Sequence, residues 1–403
     1  MPLFVDYLEF NSIVLSLLIA LFFCFVAKRT KLIFSYGDPF ILPVFQVVFS
    51  FFLVFINSLI GYKELADFVV FFFILMFANF VFSKVKKVNV VGCDIFDGFA
   101  KFILLVSVIF NIILFFKKGV IFLSADVGAA KVEFYRGAGL FKRINQLSIP
   151  ILTIYSFRAW FFVTAKYSKQ VAVVVFLFVC YLLMTMGAKS GLIVLIFYYF
   201  TFIYFSRKKL NYKFVFLMVA SSLFATMVMF SVIYGDKAIG FLVYRLMSFA
   251  DGPVYYFASA RESIEGTLSV FYPFEQLAVS LRLFDESSLS SLGPMINRIH
   301  FGLNDGLYGP NPQIFVEADA ILGEYALIYL IISSVFIAFI KNLAANEYSY
   351  VLFSAMFIPF FIDSQYAFNN FFNLLILMFL FSGYFVFFMI PFYVRKSYLR
   401  PKN

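Results

Sequence analysis

Histidine occurs once in this chain, tryptophan once and cysteine three times. A single histidine with scattered cysteines cannot supply the Cys/His spacing of a zinc site. Cys24 and Cys180 fall inside apolar runs and Cys93 lies beside a basic cluster, so the three read as small buried hydrophobes with no partner for an extracytoplasmic disulfide. The polar loops hold no Asp-x-Asp pair of the type that grips a divalent ion on nucleotide-sugar enzymes; Glu317 before Asp319 comes nearest. No Gly-x-Ser-x-Gly elbow is present. Charge is scarce as well, at 13% of residues, which excludes an ordinary water-soluble surface.

Apolar residues take the vacated share. They make up 63% of the chain, with 64 phenylalanines and a mean hydropathy of +0.95, more than one aqueous core could hide, so lipid is the expected solvent. Long unalternating runs exclude a barrel and predict an all-α polytopic integral membrane protein. About eleven spans are expected: Phe10 to Val26, Ile41 to Ile60, Ala66 to Phe82, Phe96 to Phe116, Leu147 to Val163, Val171 to Met186, Leu192 to Phe205, Phe214 to Tyr234, Ile321 to Ile340, Val351 to Ile362 and Phe371 to Tyr393. The first run follows Asp6 and Glu9 rather than a basic stretch, so it is expected to stay as a membrane helix.

The formal charge of +10 comes largely from clusters beside the spans. Lys28, Arg29 and Lys31, then Lys84, Lys86 and Lys87, then Arg207 to Lys213, and finally Arg395 to Lys402 all fall on one side. That side is the expected cytoplasm, with the N-terminus outside and the C-terminus inside. These clusters lack the interleaved aromatics of a nucleic-acid groove, so no nucleic-acid partner is expected. Lys101 and Arg158 interrupt spans near the cytoplasmic end, where snorkelling accounts for both.

Two outer connections stand out by length, residues 117–146 and 235–320. The longer alternates apolar stretches with charged turns and predicts helices lying on the membrane surface, roofing a chamber open to lipid. It holds Arg245, Arg261, Arg282 and Arg298, and the shorter loop adds Arg136 and Arg143. A guanidinium presents a planar fork of donors that suits phosphate oxygens, so a diphosphate is the expected guest. Pairing of each arginine with Asp251, Glu262, Glu265, Glu275, Asp285 or Glu286 is the alternative. A second anion site is expected at the hairpin Met186 to Gly191, where Lys189 and a helix N-terminus converge; an ordinary turn with a snorkelling lysine is its alternative. The hairpin lacks the first glycine of a nucleotide P-loop.

For acid/base chemistry, His300 lies beside Arg298 and ahead of the glycine-rich stretch Gly302 to Gly309. Glu317, Asp319 and Glu324 follow at the entrance to the ninth span. Glu317 and Glu324, seven apart, share a face if the helix has already begun, and charges complementing the helix dipole are the simpler reading for Asp319 and Glu324.

The Phe-rich spans, the hairpin Gly187-Ala188-Lys189-Ser190, the long loop, and the stretch Gly309-Pro310-Asn311-Pro312-Gln313-Ile314-Phe315-Val316-Glu317-Ala318 leading into Gly323-Glu324-Tyr325 together resemble bacterial O-antigen polymerases. Arg282 and Arg298, each followed at the eleventh position by glycine (Gly293, Gly309), fit a pattern of some members. Lys189 stands where many relatives carry arginine. The resemblance implies a GT-C-like membrane glycosyltransferase of the bacterial inner membrane with its site facing the periplasm. Donor and acceptor would both be undecaprenyl-diphosphate-linked oligosaccharides entering from membrane lipid, with a chain-length regulator protein as a further partner. The growing glycan would pass, with inversion and without metal or cofactor, onto a hydroxyl of the next lipid-linked unit. In this scheme His300, Glu317 and Arg298 are catalytic, Arg136, Lys189, Arg245 and Arg282 hold diphosphate, and Asp251, Arg261 and Asn311 hold sugar. An O-antigen ligase and a lipid-linked oligosaccharide flippase are the rivals.

Overall fold

The computed structural model describes residues 9–85, 93–119, 134–135, 137–162, 168–186, 191–213, isolated positions between 215 and 235, 248–284, 291–302 and 310–391. Among the described residues the chain is all helix, without strands. Seven long helices come first: α1 (Phe10–Arg29), α2 (Ile41–Ile56), α3 (Tyr62–Ser83), α4 (Cys93–Lys118), α5 (Gly139–Phe161), α6 (Ser168–Thr185) and α7 (Gly191–Ser206). Short elements follow: α8 (Asp251–Tyr255), a π-helical turn (Tyr256–Ala260), α9 (Arg261–Ile264), α10 (Glu275–Ser280) and α11 (Leu292–Phe301). Then come α12 (Ile314–Leu322), α13 (Ala326–Leu343), α14 (Glu347–Phe357) and α15 (Ser364–Tyr384).

Six stretches are long and apolar enough to cross a membrane: α1, α3, α4, α6, α12 with α13, and α15 with the π turn after it. Shorter apolar helices include α2 and α14. The expected spans overlap helical stretches, the ninth across the break at Gly323 and the tenth beyond the end of α14, except Phe214 to Tyr234, which falls largely outside the described residues. The fifth begins earlier than expected, at Gly139 rather than Leu147. This takes Arg143 out of the loop: its Nη1 donates to Asn373 Oδ1 at 3.1 Å and its guanidinium lies over the Phe372 ring.

The chain divides into two compact units. In the first (residues 1–88, 211–345 and 353–370), α3 lies along α13, and α1 along α2. Phenylalanine builds this core: the Phe51 and Phe68 rings stack at 3.7 Å, and Phe315 meets both edge-on. Polar side chains then fix the helices laterally, as expected where lipid provides no hydrophobic drive between them. Ser334 donates to the Phe71 carbonyl at 3.1 Å, and the Asn79 carbonyl accepts from Asn342 at 3.0 Å.

In the second unit (89–210, 346–352 and 371–403) α4 and α5 run antiparallel, and their polar residues pair along the seam. Asp97 meets Arg158, Ser107 meets Ser148, and Asn111 exchanges two hydrogen bonds with Asn145 (2.9 and 3.3 Å). The ten residues from Asp97 to Ser107 are matched by ten back from Arg158 to Ser148, and the next four by three. Arg158 does not snorkel. Its Nε donates to Asp97 at 2.8 Å and its Nη1 to Glu347 at 2.7 Å, while Tyr348 donates to the same Asp97 oxygen. The snorkelling expectation failed because Asp97 and Glu347 are remote in sequence and adjacent only once folded.

Removing the cation would leave Asp97 and Glu347 facing each other with little water. Arg158→Met is expected to cost about 3–5 kcal/mol, the loss typical of a broken buried pair. Lys101→Met, at an exposed position of α4, should stay within about 0.5 kcal/mol. Thermal unfolding of the full-length protein in detergent measures both.

Candidate functional site

The helix carrying Glu317 does not continue to Glu324. After Leu322 the backbone turns left-handed at Gly323 (φ +52°), passes through one 3-10 turn, Gly323–Tyr325, and restarts as α13. Glu317 is consequently buried and Glu324 exposed, so the shared-face expectation is corrected. Such a break frees carbonyls that lipid cannot satisfy. Here the loop after α9 supplies the donors: Gly266 N–H donates to Asp319 O and Leu268 N–H to Ala320 O, both at 3.1 Å.

The same loop brings in Arg261, whose Nη2 lies 3.0 Å from both Glu64 on α3 and Asp319 on α12, with Glu265 one turn along its own segment. Burial opposes the charge on Arg261, but the surrounding carboxylates outweigh it and raise the pKa further. Tyr256 donates its hydroxyl to the other Asp319 oxygen at 2.9 Å. Burial, then the Asp319 charge, push that phenol well above its ordinary range. Arg261 is thus the one arginine of the long loop that the described residues show matched with carboxylates.

These groups rim a hollow of about 430 Å³, counting the space open to solvent. Its walls are Phe51, Phe68, Phe257, Phe315 and Leu330, and its polar rim is Lys63, Glu64, Asp67, Arg261 and Asp319. Gly323 and Ala326, at the helix break, complete it.

Phe257 and Arg261 occupy one face of the α8-to-α9 stretch, and Tyr255 and Ser259 the other. This second face takes His300 from α11. The imidazole Nδ1 is in hydrogen-bond contact with Ser259 Oγ, and the ring stacks on Tyr255 at 4.3 Å with Phe301 edge-on. Burial lowers the His300 pKa, favouring the neutral ring. Helix α11 is amphipathic: Leu292, Gly293 and Ile296 face inward while Arg298 is exposed. Arg282 is also exposed, in a left-handed conformation (φ +58°) directly after α10. Helix α10 is tied to α15 by Gln365 Nε2 donating to Glu275 and Ser280 Oγ donating to Asn369. Among the described residues neither Arg282 nor Arg298 has a carboxylate partner.

Glu317 takes a different position from the one its sequence context implied. It is 0% exposed and accepts from Ser364 N–H at 2.8 Å and Tyr329 hydroxyl at 3.3 Å, which ties α12 to the start of α15. It does not line the hollow. Asp251 caps its own turn through Gly252 N–H, and Asn311 is exposed with its carbonyl against Gly252. Asp251 and Asn311 are therefore neighbours, while Arg261 belongs to the hollow. Arg136, Lys189 and Arg245 lie outside the described residues.

Sequence reasoning missed Glu64, Asp67 and Phe257. The only local signal was Gly61 to Glu64, a helix start in which the Glu64 carboxylate accepts from Gly61 N–H at 2.9 Å; nothing in the sequence tied it to Arg261. No protein-family model, curated protein or solved structure significantly matches the chain.

A methyl group on Gly252 would overlap the Asn311 carbonyl, which is backbone and cannot swing aside. Gly252→Ala is expected to destabilise by roughly 1–3 kcal/mol, the range for overpacking. Faster protease nicking of full-length protein between residues 248 and 313 than in the unaltered chain would register that loosening.

Proposed function

We propose that this chain is an oligosaccharide-repeat polymerase of the O-antigen type in the bacterial inner membrane. In this reading about eleven spans place the segment 235–320 on the periplasmic face. It joins glycans carried on undecaprenyl diphosphate, moving the growing chain onto a hydroxyl of the next lipid-linked unit. The anomeric C–O bond to the diphosphate breaks as the bond to the acceptor oxygen forms on the opposite face. Undecaprenyl diphosphate leaves with the bonding electron pair, and the acceptor's proton passes to a base.

One contrast carries the reading. Arg261 is ringed by carboxylates, whereas Arg282 and Arg298 are exposed and have none among the described residues. A guanidinium free of carboxylates is the group able to meet charge building on a departing diphosphate. Arg298 also shares α11 with His300, whose neutral ring can accept a proton. The enclosure of Glu317 supports a positioning role for it, leaving His300 as the base. Arg136, Lys189 and Arg245 complete the proposed diphosphate set.

A transporter is the second reading, favoured by the buried Asn111, Asn145, Ser107 and Ser148 seam between α4 and α5. A deletion strain separates the readings by its glycans. A single repeat on lipid A core indicates polymerase, bare core a ligase, and lipid-linked units stranded in the cytoplasmic leaflet a transporter.

Complementing that strain with Arg298→Ala or Arg282→Ala is expected to lower long-chain polysaccharide by roughly 100-fold, as for loss of one charge-stabilising donor. The single-repeat product and the membrane level of the protein should persist. Wild-type ladders from both variants would remove the arginine role.

His300 gives a pH signature. Its folded pKa lies below the ordinary value of about 6.5, so the neutral ring is fully present above that value and is lost as pH falls through the depressed one. Polymerisation in membrane vesicles should show an acid limb with its midpoint below about 6.5, absent from the residual activity of His300→Gln. An unchanged profile in His300→Gln would assign the proton elsewhere.

A further inference from the structure

We infer that the hollow at the helix break binds a pyranose ring, and that it excludes the lipid diphosphate. This rests on the polymerase reading only for which molecule brings the sugar; the site is argued from its own chemistry.

Charge comes first. Glu64, Asp67 and Asp319 on the rim, with Glu265 behind them, give four carboxylates to the two cations Lys63 and Arg261. A diphosphate entering there would meet net repulsion in a setting drier than bulk water. The Arg261 Nη2 is already committed to Glu64 and Asp319 at 3.0 Å, and Glu265 lies 3.4 Å from its Nε, so an anion there would approach three carboxylates along with the cation.

The acceptors differ from one another. Glu64 and Asp319 are bound to Arg261, but Asp67, half-buried on the rim one turn after Lys63, makes no hydrogen bond among the described residues. It is a carboxylate available to accept from a ligand hydroxyl or ammonium group, and such charge-assisted hydrogen bonds are stronger than neutral ones. The same hollow has an aromatic wall. Phe257 is half-buried and parallel to Phe315 at 6.2 Å, with Phe68 and Phe51 deeper. A hydroxyl-bearing edge facing acids and a C–H face against rings is the two-sided character of a hexopyranose, neutral or amino-substituted. The broken helix agrees, because irregular backbone within an apolar helical bundle is tolerated where it is buried in protein or lines a cavity. The ring would then be held in this hollow and the phosphates at the exposed arginines.

The test uses full-length protein in detergent, with saturation-transfer NMR on glucose, galactose, N-acetylglucosamine and glucosamine, and ³¹P NMR on inorganic pyrophosphate. At least one pyranose should bind saturably, and Asp67→Asn and Phe257→Leu should each weaken it about tenfold with the thermal midpoint unchanged. Asp67→Asn is the safer variant, since no hydrogen bond among the described residues depends on it. No saturable pyranose binding, or binding that both variants leave intact, would overturn the site. So would pyrophosphate binding that Arg261→Gln abolishes. The polymerase reading is judged separately: pyranose binding alongside an unaltered glycan ladder in the deletion strain would keep the hollow and remove the polymerase.

Discussion

One guanidinium organises the first unit. Arg261 draws carboxylates from α3, from its own segment and from α12 onto a single cation, and each of those elements arrives from a different part of the chain. Burying acids on three elements is costly unless they share a counter-charge. With Arg261 present, the loop after α9 reaches the broken end of α12 and donates to its carbonyls. Take the cation away and the acids repel, the loop loses its hold, and the Ala320 carbonyl loses its Leu268 donor. The break at Gly323 and the hollow beside it both depend on that pairing.

The pairing also sorts the arginines by what they can do. A cation compensated within the fold contributes little to binding an external anion, because the attraction is already spent on its neighbours. Arg261 and Arg158 belong to this class, each paired with carboxylates from other segments, while Arg143 is held by the Asn373 amide and the Phe372 ring. Arg298 sits on the exposed face of α11, whose apolar face is turned inward, and Arg282 is exposed in the turn beyond α10. Counting arginines by loop therefore overstates the number available to a diphosphate, since sequence reports charge but not compensation.

Helices were legible from the apolar runs because a membrane-length stretch leaves the backbone no other way to satisfy itself. Their ends were less so. Gly139 to Gln146 joined α5 although it carries Lys142 and Arg143, since Arg143 finds Asn373 and an aromatic ring across the unit. The break after Leu322 falls where the ninth span was expected to begin, so apolarity located the start of α13 and hid α12 inside what read as loop. His300 was visible as the chain's one imidazole, but its neighbours Tyr255 and Ser259 lie some forty positions away. Glu64 and Asp67 read as the polar edge of a span; nothing local marks a partner nearly two hundred residues distant.

Helix α12 shows why the site is built on a broken helix rather than a continuous one. Glu317 and Asp319 are two apart, so their side chains leave opposite sides of one turn. Glu317 takes Ser364 and Tyr329, and Asp319 takes Arg261 and Tyr256. The short helix is thereby clamped from both sides, and at its start Gln313 adds a third hold, donating to Ser50 and to the Phe249 carbonyl at 2.7 Å. Asp319 O takes both Gly323 N–H and Gly266 N–H, whereas a helix continuing past residue 323 would give Ala320 O an intrahelical donor and leave Leu268 N–H without its acceptor. The left-handed glycine turns the chain away at that point. That releases Ala320 O to hold the loop, and it opens the space between Phe257, Phe315 and Asp67.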